Sequence, residues 1–162
     1  MTASQIGQSK SMIGTANMDD LDRRILQAYL NDSRVSFREL AHRLGVSTTT
    51  VQARTSKLEK SGIIKAYSAI FDHERIGYQL TVLTEVTVAK GKLLELEQQV
   101  ARMPQVMAVY DVTGLTDAMV IAKFKNRDEL SKFTKSLLAM PFVERTNTHM
   151  VLTTVKEDFR LL

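Results

Sequence analysis

The stretch that decides the fold covers residues 40–67 and reads LAHRLGVSTTTVQARTSKLEKSGIIKAY. Two short segments with the apolar spacing of helices flank a glycine, which ends a helix with little strain because it readily adopts the left-handed backbone conformation. A helix-turn-helix packs a small residue of its first helix against an apolar residue of its second, and Ala41, Gly45 and Val51 fit that arrangement. The stretch therefore predicts a helix-turn-helix, whose second helix enters the major groove of DNA.

The second of these helices begins with four consecutive hydroxyl residues. Ser47 has the position of an N-cap, and short hydroxyl side chains also donate to phosphate or place a methyl group against thymine. The Gln52 amide can pair with adenine, Arg54 with guanine or phosphate, and Lys57 with phosphate. The alternative is that Ser47 only caps the helix and the threonines form an ordinary solvent-facing surface. The candidate DNA-binding residues are Ser47, Thr48, Thr49, Thr50, Gln52, Arg54 and Lys57.

Positive charge is concentrated in this part of the chain. Residues 34–65 contain seven lysines or arginines against two glutamates, whereas residues 73–162 carry twelve basic and eleven acidic side chains. A basic surplus confined to one small domain favours a nucleic-acid partner. Cysteine is absent, and neither a signal sequence nor an apolar run long enough to span a membrane is present. We therefore expect a cytoplasmic protein that binds double-stranded DNA, with no membrane association and no metal or cofactor.

The periodicity divides the chain into four parts. Asp19 and Asp20 precede an amphipathic helix, and Ser36 with Glu39 has the spacing of a capping box for the next one. The residues after the third helix are β-prone and predict a small wing or a linking strand. The predicted parts are a mobile tail at 1–18, a helix-turn-helix domain with its wing or linker at 19–72, a hinge at 73–77 and a second domain at 78–162.

The second domain contains a duplication. Met103-Pro104-Gln105-Val106 and Met140-Pro141-Phe142-Val143 each follow a predicted helix and precede a predicted strand, 37 residues apart. Alternating apolar residues over 80–88 and 117–124 predict two more strands. Two strand–helix–strand units side by side give a ferredoxin-like βαββαβ fold with both helices on one face of an antiparallel sheet. The predicted fold class is therefore α+β, a winged helix-turn-helix followed by a ferredoxin-like domain.

The sheet of this second domain has one face that no helix of the chain covers. We expect Val82, Val86 and Val88 to be left partly bare on that face. An exposed apolar sheet implies a partner surface. The sequence therefore predicts at least a homodimer joined through these domains.

The segments LDRRIL, FRELAHRLGVSTTTVQARTSKLEKSGIIKAYSAI and the βαββαβ half together resemble the Lrp/AsnC (feast/famine) transcription regulators over about residues 20–157. The resemblance implies a sequence-specific DNA-binding regulator whose C-terminal domain dimerises through its sheets, with dimers often assembling into octamers. It also implies that an amino acid binds between dimers and changes assembly or DNA affinity. One departure from the family pattern is Thr55, where an aliphatic residue is common, which predicts looser packing beneath the recognition helix.

The resemblance also places a candidate effector site at a Gly-x-x-Asp turn between two strands, at residues 113–117. Glycine lets backbone N–H groups approach a carboxylate, and the aspartate can accept from an ammonium group. Considered without the resemblance, the same residues make an ordinary hairpin turn. Two threonines of the last strand resemble positions near the family's ligand pocket, although they are equally ordinary β-favouring residues. The candidate effector-binding residues are Gly114, Leu115, Thr116, Asp117, Thr146 and Thr148.

Two other functions are compatible with this architecture. Siroheme decarboxylases resemble the family in fold, but the three histidines, His42, His73 and His149, are dispersed and lack the spacing of a metal site. We therefore expect a protein that is not an enzyme. A DNA-binding architectural protein without an effector is the second alternative, and the turn at 113–117 is the feature that distinguishes it from a ligand-responsive regulator.

Overall fold

The computed structural model describes residues 17–162, which form two compact units. The helical unit consists of residues 17–70 together with 157–162, and the α/β unit consists of residues 71–156. In the described part of the chain, no helix has the length and apolar character needed to cross a membrane. The elements are α1 (Asp20–Asn31), α2 (Phe37–Leu44), α3 (Thr48–Lys60), β1 (Leu80–Val88), α4 (Leu93–Val100), β2 (Val106–Asp111), β3 (Ala118–Phe124), α5 (Arg127–Leu138) and β4 (Val143–Met150).

The three N-terminal helices begin and end where the sequence signals predict. Asp19 caps α1, Ser36 caps α2 by accepting from the backbone N–H of Glu39, and Ser47 caps α3. Gly45 ends α2 with φ of 70°, in the left-handed region that favours glycine. The predicted tail lies outside the described residues except for its end, where Met18 packs against the helical core.

The helical core fixes α3 against the two preceding helices. Its buried side chains are Ile25, Leu40, Ala41, Val51 and Leu58. The looser packing predicted at Thr55 is not found, because this side chain is only 1% exposed and its hydroxyl lies 3.3 Å from the Tyr29 hydroxyl. The hydrogen bond satisfies the buried hydroxyl, so a threonine fits where an aliphatic residue was expected.

The predicted wing or linking strand does not form among the described residues. Residues 63 and 64 form a bend, and the chain from 65 to 72 belongs to neither helix nor strand. A single extended segment needs a neighbouring strand to pair its backbone groups, and this part of the unit supplies none. Tyr67 is nevertheless anchored, since its hydroxyl donates to Glu59 Oε1 at 2.9 Å and its ring packs edge-on against Tyr29 at 5.5 Å. Burial, and then the Glu59 carboxylate, raise the pKa of Tyr67.

The last six residues pack with the helical unit, not with the α/β unit to which the sequence assigns them. Arg160 pairs with Asp158 and donates to the carbonyl oxygen of Leu30, at the end of α1, over 3.4 Å. Leu161 and Leu162 border an apolar cavity of about 440 Å³ beside α1. No periodic pattern in the sequence indicates this contact, because six residues are too few to show one.

The α/β unit confirms the predicted ferredoxin-like arrangement. Its four antiparallel strands lie in the order β2-β3-β1-β4, so each half contributes one central and one edge strand. The two Met-Pro sequences form equivalent turns. Val106 N–H donates to the Met103 carbonyl and Val143 N–H to the Met140 carbonyl, both at 3.0 Å.

The assignment of sheet faces from the sequence was wrong. Val82, Val86 and Val88 are buried beneath α4 and α5, where they pack with Leu96 and Phe133. The helices cover the face of β1 that carries most of its β-branched aliphatic side chains, because burying those groups is most favourable. The uncovered face instead carries the intervening residues. It displays Leu83, Glu85, Met119, Ile121, Asn147 and His149.

Candidate DNA-binding surface and effector site

The outward face of α3 carries two threonines and a glutamine whose side chains are not engaged elsewhere in the described chain. Thr48, Thr49 and Gln52 are exposed, and no hydrogen bond from their side chains occurs within the described chain. The same helix buries Val51 and Leu58 on its opposite side. The helical spacing thus directs a polar surface outward from a helix whose other side is held by the core.

Two of the predicted DNA-binding hydroxyls instead stabilise the start of α3. Ser47 Oγ accepts from the backbone N–H of Thr50 at 3.0 Å, and the two side-chain oxygens lie 2.8 Å apart. This is the capping arrangement that the alternative interpretation of Ser47 described. Both hydroxyls remain at the protein surface, but their hydrogen bonds already serve the helix.

Arg54 is directed towards α1. Its Nη1 lies 2.5 Å from Asp19 Oδ2 and 3.3 Å from Asp22 Oδ1, and Lys57 Nζ lies 4.0 Å from Asp22 Oδ2. The pKa of Asp19 is lowered, chiefly by the backbone N–H of Asp22 and then by Arg54. The pKa of Arg54 is raised, chiefly by its hydrogen bond with Asp19 and by the charge of that carboxylate. The arginine therefore joins the recognition helix to the capped start of α1.

The acidic partners in this ion-pair group were missed as functional residues in the sequence. Asp22 is 1% exposed, unusually buried for a carboxylate, and its neighbours are Asp19, Arg54 and Lys57. Its spacing from Asp19 is that of a capping box, in which each residue accepts the other's backbone N–H. That spacing was the available signal, although nothing in it indicated an arginine 32 residues away.

The Gly-x-x-Asp turn connects β2 to β3 at one end of the sheet. Gly114 has φ of 132°, a conformation that side-chain-bearing residues rarely adopt, whereas the space around its Cα is open. The glycine is thus required by the backbone conformation and not by a close contact within the chain. Leu115 follows it at the tip and is 95% exposed.

The two polar side chains of the turn bind to β1. Thr116 Oγ1 donates to the Val86 carbonyl oxygen at 2.8 Å, and Asp117 Oδ2 accepts from the Val88 backbone N–H at 2.8 Å. The β1–β4 register shifts between Thr87 and Val88, so this N–H lies at an irregularity of the ladder. Asp117 therefore completes the hydrogen bonding of a strand irregularity, and only part of its carboxylate remains for another partner.

Thr146 and Thr148 lie on β4, on the other side of β1 from the turn. Thr146 is opposite Val86, which is in turn opposite Ala118, the first residue of β3. Thr148 Oγ1 lies 3.1 Å from Thr84 Oγ1, so its hydroxyl already has a partner. The structure brings Thr146 to the same sheet row as the end of the turn, with β1 between them.

The three histidines have different surroundings. His42 is exposed on α2 of the helical unit, whereas His73 packs edge-on against Tyr78 and His149 lies 3.3 Å from Glu85 on the open sheet face. Among residues 17–162 no group of three or more His, Asp or Glu side chains is arranged to hold a metal ion.

Two family profiles match the chain, one on each side of the link between the two units. Residues 18–65 match a winged helix-turn-helix DNA-binding domain, and residues 81–161 match the Lrp/AsnC ligand-binding domain. The chain belongs to the Lrp/AsnC family. It is accordingly a DNA-binding transcriptional regulator, and the prediction of that family and fold from the sequence is confirmed.

Proteins of similar sequence support the assignment of the chain to this family. An uncharacterised HTH-type transcriptional regulator of Pyrococcus abyssi is 46% identical over 144 residues, covering 89% of this chain and 98% of its own. The HTH-type transcriptional regulator FL11 of Pyrococcus horikoshii is 35% identical, covering 89% of this chain and 95% of its own. These relatives are named as regulators, which favours the Lrp/AsnC protein as a regulator over the enzymatic alternative.

Among solved structures, a transcriptional regulator of Neisseria meningitidis in complex with L-Met superposes with a TM-score of 0.83. It is 27% identical and covers 90% of this chain and 96% of its own. The leucine response regulatory protein of Mycobacterium tuberculosis superposes with a TM-score of 0.78 at 25% identity, covering 89% and 99%. Both similarities extend over the helical and the α/β parts of the Lrp/AsnC chain.

Proposed function

We propose that this Lrp/AsnC regulator binds specific DNA as a dimer and that an amino acid bound at the C-terminal domain alters its assembly or DNA affinity. The observation that carries the proposal is the exposed polar face of α3, where Thr48, Thr49 and Gln52 have no intramolecular partner in the described chain. A helix-turn-helix offers that face to the major groove. The ligand-binding domain and the L-Met complex of a structural relative support the amino-acid part.

The role that we propose for each side chain depends on whether it already forms a hydrogen bond or ion pair within the free protein. Gln52 is available for bidentate pairing with adenine, and the threonines for phosphate oxygens and thymine methyl groups. Lys57, whose side chain is 61% exposed, serves as a phosphate contact. Arg54 acts mainly by holding α3 against α1, and Ser47 and Thr50 mainly by capping α3.

An amino acid can be accommodated at the turn through its two charged groups. The backbone N–H groups around Gly114 offer donors to the carboxylate, and the oxygen of Asp117 not bound to Val88 offers an acceptor to the ammonium. Thr146, in the row across β1, is about 10 Å from the end of the turn, given the usual strand spacing. Such a distance suits an amino-acid side chain that extends from the turn across β1 towards Thr146. Thr148 lies two residues further along β4.

The open face of the sheet supports a homodimer. Leu83, Met119 and Ile121 form an apolar row across the central strands, and no element of the α/β unit covers it. A second copy would bury this row, and the polar group of Glu85 and His149 beside it would determine the register of the two sheets. Higher assembly, such as an octamer, would bring the exposed turns of neighbouring dimers together.

The DNA-binding part is tested by selecting sequences that the full-length protein retains from a random duplex library. A dimer with two recognition helices should enrich an imperfect inverted repeat, with half-sites centred about 10 base pairs apart or a multiple of that spacing. Failure to enrich any sequence would contradict specific recognition. Enrichment of a single unrepeated site would contradict the dimer.

A further inference from the structure

Tyr67 lies in a segment that forms no helix or strand, yet its side chain contacts two helices of the helical unit. Its hydroxyl donates to Oε1 of Glu59, in the last turn of α3, at 2.9 Å. Its ring packs edge-on against Tyr29 of α1, with the ring centroids 5.5 Å apart. The side chain of Tyr67 therefore attaches the chain that follows the helix-turn-helix to both α1 and α3.

Glu59 is the only acidic residue of α3. A carboxylate on a helix commonly pairs with a basic residue three or four positions away, as Glu39 does with Arg43 on α2. The residues at this spacing from Glu59 carry no positive charge; they are Thr55, Ser56, Gly62 and Ile63. The hydrogen bond that holds this carboxylate thus comes from the hydroxyl of Tyr67 and not from a cation of its own helix.

The direction of this carboxylate matters for DNA binding. Glu59 follows Gln52 by seven residues, so the two side chains lie on the same side of α3, two turns apart. A carboxylate there repels the phosphates of a duplex that contacts Gln52, whereas Lys57 and Lys60 attract them. The repulsion falls with distance, because exposed charges more than about 8 Å apart are largely screened at physiological salt. A Glu59 side chain that turned towards the duplex would therefore oppose binding.

Tyr67 directs the carboxylate towards the side of α3 that faces α1. Thr55, one turn before Glu59, is 1% exposed, and its hydroxyl lies 3.3 Å from that of Tyr29. Tyr67 packs on the same Tyr29 ring, so its hydroxyl holds Glu59 near this buried side of the helix. Burial, and next the Glu59 carboxylate, raise the pKa of Tyr67, so the hydroxyl stays protonated and remains the donor.

We propose that Tyr67 is a positioning residue for DNA binding, which holds the Glu59 carboxylate on the α1 side of the recognition helix and away from the phosphates. The inference rests on the proposed use of α3 in DNA binding and goes beyond it, because Tyr67 lies outside the helix-turn-helix and acts without touching DNA. The hydroxyl leaves the charge in place and fixes only its position. Its effect on DNA affinity is therefore electrostatic and depends on the charge of Glu59.

The test is a double-mutant cycle in the full-length protein, with Tyr67→Phe, Glu59→Gln and the variant that carries both changes. Phenylalanine keeps the ring and removes only the hydroxyl, while glutamine keeps an acceptor oxygen and removes only the charge. Tyr78→Phe is the control, since the ring of Tyr78 contacts His73 and Lys125 in the α/β unit. Fluorescence anisotropy measures the affinity for a duplex of random sequence at about 50 mM and 200 mM salt. Thermal melts show that each variant is folded.

We expect Tyr67→Phe to bind the duplex roughly threefold more weakly at the lower salt concentration and to lose less at the higher one, because the effect is a screened repulsion. Glu59→Gln should bind more tightly than the wild type. Adding Tyr67→Phe to Glu59→Gln should change nothing, because no charge remains to be positioned. Tyr78→Phe should bind as the wild type does.

Two results would overturn the inference while leaving DNA binding by α3 intact. An equal loss from Tyr67→Phe with and without the Glu59 charge would show that the hydroxyl only supports the structure. An unchanged affinity of Tyr67→Phe at both salt concentrations would show that the carboxylate needs no positioning. A wild-type protein that binds no duplex would refute the proposed function, and the inference with it.

Discussion

Arg54 on the recognition helix and Asp19, which caps the first helix, form an ion pair with Nη1 and Oδ2 2.5 Å apart. The cation that the sequence identified as a base-contacting residue is therefore engaged inside its own domain. Asp22, buried beside the pair, receives a second contact from the same guanidinium group. The arginine thus links α3 to the start of α1, in addition to the core contacts of Val51 and Leu58.

The first prediction concerns this ion pair. Arg54→Ala should lower the thermal midpoint of the protein, because it leaves the buried Asp22 without its guanidinium partner. It should weaken binding to specific and random duplexes by similar factors, because α3 loses its link to the start of α1 and no base contact is removed. Arg43→Ala is the control, since Arg43 forms only an exposed pair with Glu39 on α2. A loss of specificity with an unchanged midpoint would instead make Arg54 a direct base contact.

The second prediction follows from the lowered pKa of Asp19. A carboxyl group with a depressed pKa in the folded state contributes stability above its unfolded value of 3.8. That contribution is lost as the pH falls below this value and through the folded pKa. Thermal midpoints measured from pH 5 to pH 2.5 should therefore decrease more steeply for the wild type than for Asp19→Asn. Parallel curves would show that the pair does not persist in solution.

The third prediction tests which side chain reads the DNA sequence. Gln52→Ala should reduce the affinity for the selected site by about 1–3 kcal/mol and relax specificity at one base pair, while binding to random duplex changes little. Gln27→Ala is the matched control, because Gln27 is an exposed glutamine on α1. Competition binding with single-base variants of the site measures the effect. Equal losses of affinity on all duplexes would instead show that Gln52 contacts the phosphate backbone and not a base.

The fourth prediction separates the structural and ligand-binding roles of Asp117. Asp117→Ala removes the acceptor of the Val88 N–H and should cost about 1–3 kcal/mol of stability. Asp117→Asn retains an acceptor oxygen but loses the charge that would attract an ammonium group. We therefore expect the asparagine variant to keep its stability and DNA affinity but to lose its response to amino acids. A retained response in that variant would remove Asp117 from the effector site.

The fifth prediction concerns the uncovered face of the sheet. Ile121→Glu places a charge in the apolar row between Leu83 and Ala108 and should weaken dimerisation by roughly a hundredfold or more, because the charge would be buried without a partner. Sedimentation measures the association. Leu94→Glu provides the comparison, since Leu94 is exposed on the helix-covered side of the unit. Equal association of both variants would show that the copies meet elsewhere.

Local signals made most of the fold predictable. Caps and glycines marked the ends of the three N-terminal helices, and the repeated Met-Pro sequence revealed the duplicated halves. The face of the sheet was assigned wrongly although a signal was present, because β1 carries its three valines on one face and only Leu83 as an aliphatic residue on the other, and burying the more apolar face is more favourable. The β-prone residues after α3 form no strand in the described chain, since such residues form a strand only where another strand pairs with them.

The candidate sites were harder to predict than the fold, for a common physical reason. A sequence shows which chemical groups are available, but not which of them are already engaged within the chain. Arg54 pairs with residues more than 30 positions away, and Thr116 and Asp117 bind to strand residues 30 and 29 positions away. The exposed side chains of Thr48, Thr49 and Gln52 on α3 have no such distant partner in the described chain, so the prediction for Gln52 is little altered by the structure.

The most direct test of the central claim is fluorescence anisotropy of the full-length protein on the duplex upstream of its own gene and on a random duplex, with and without the common amino acids. The account predicts tighter binding to the upstream duplex, and an affinity that changes when one or more amino acids are added. Specific binding that no amino acid alters would contradict the proposed effector control. An absence of preference over random DNA would contradict specific regulation through this site.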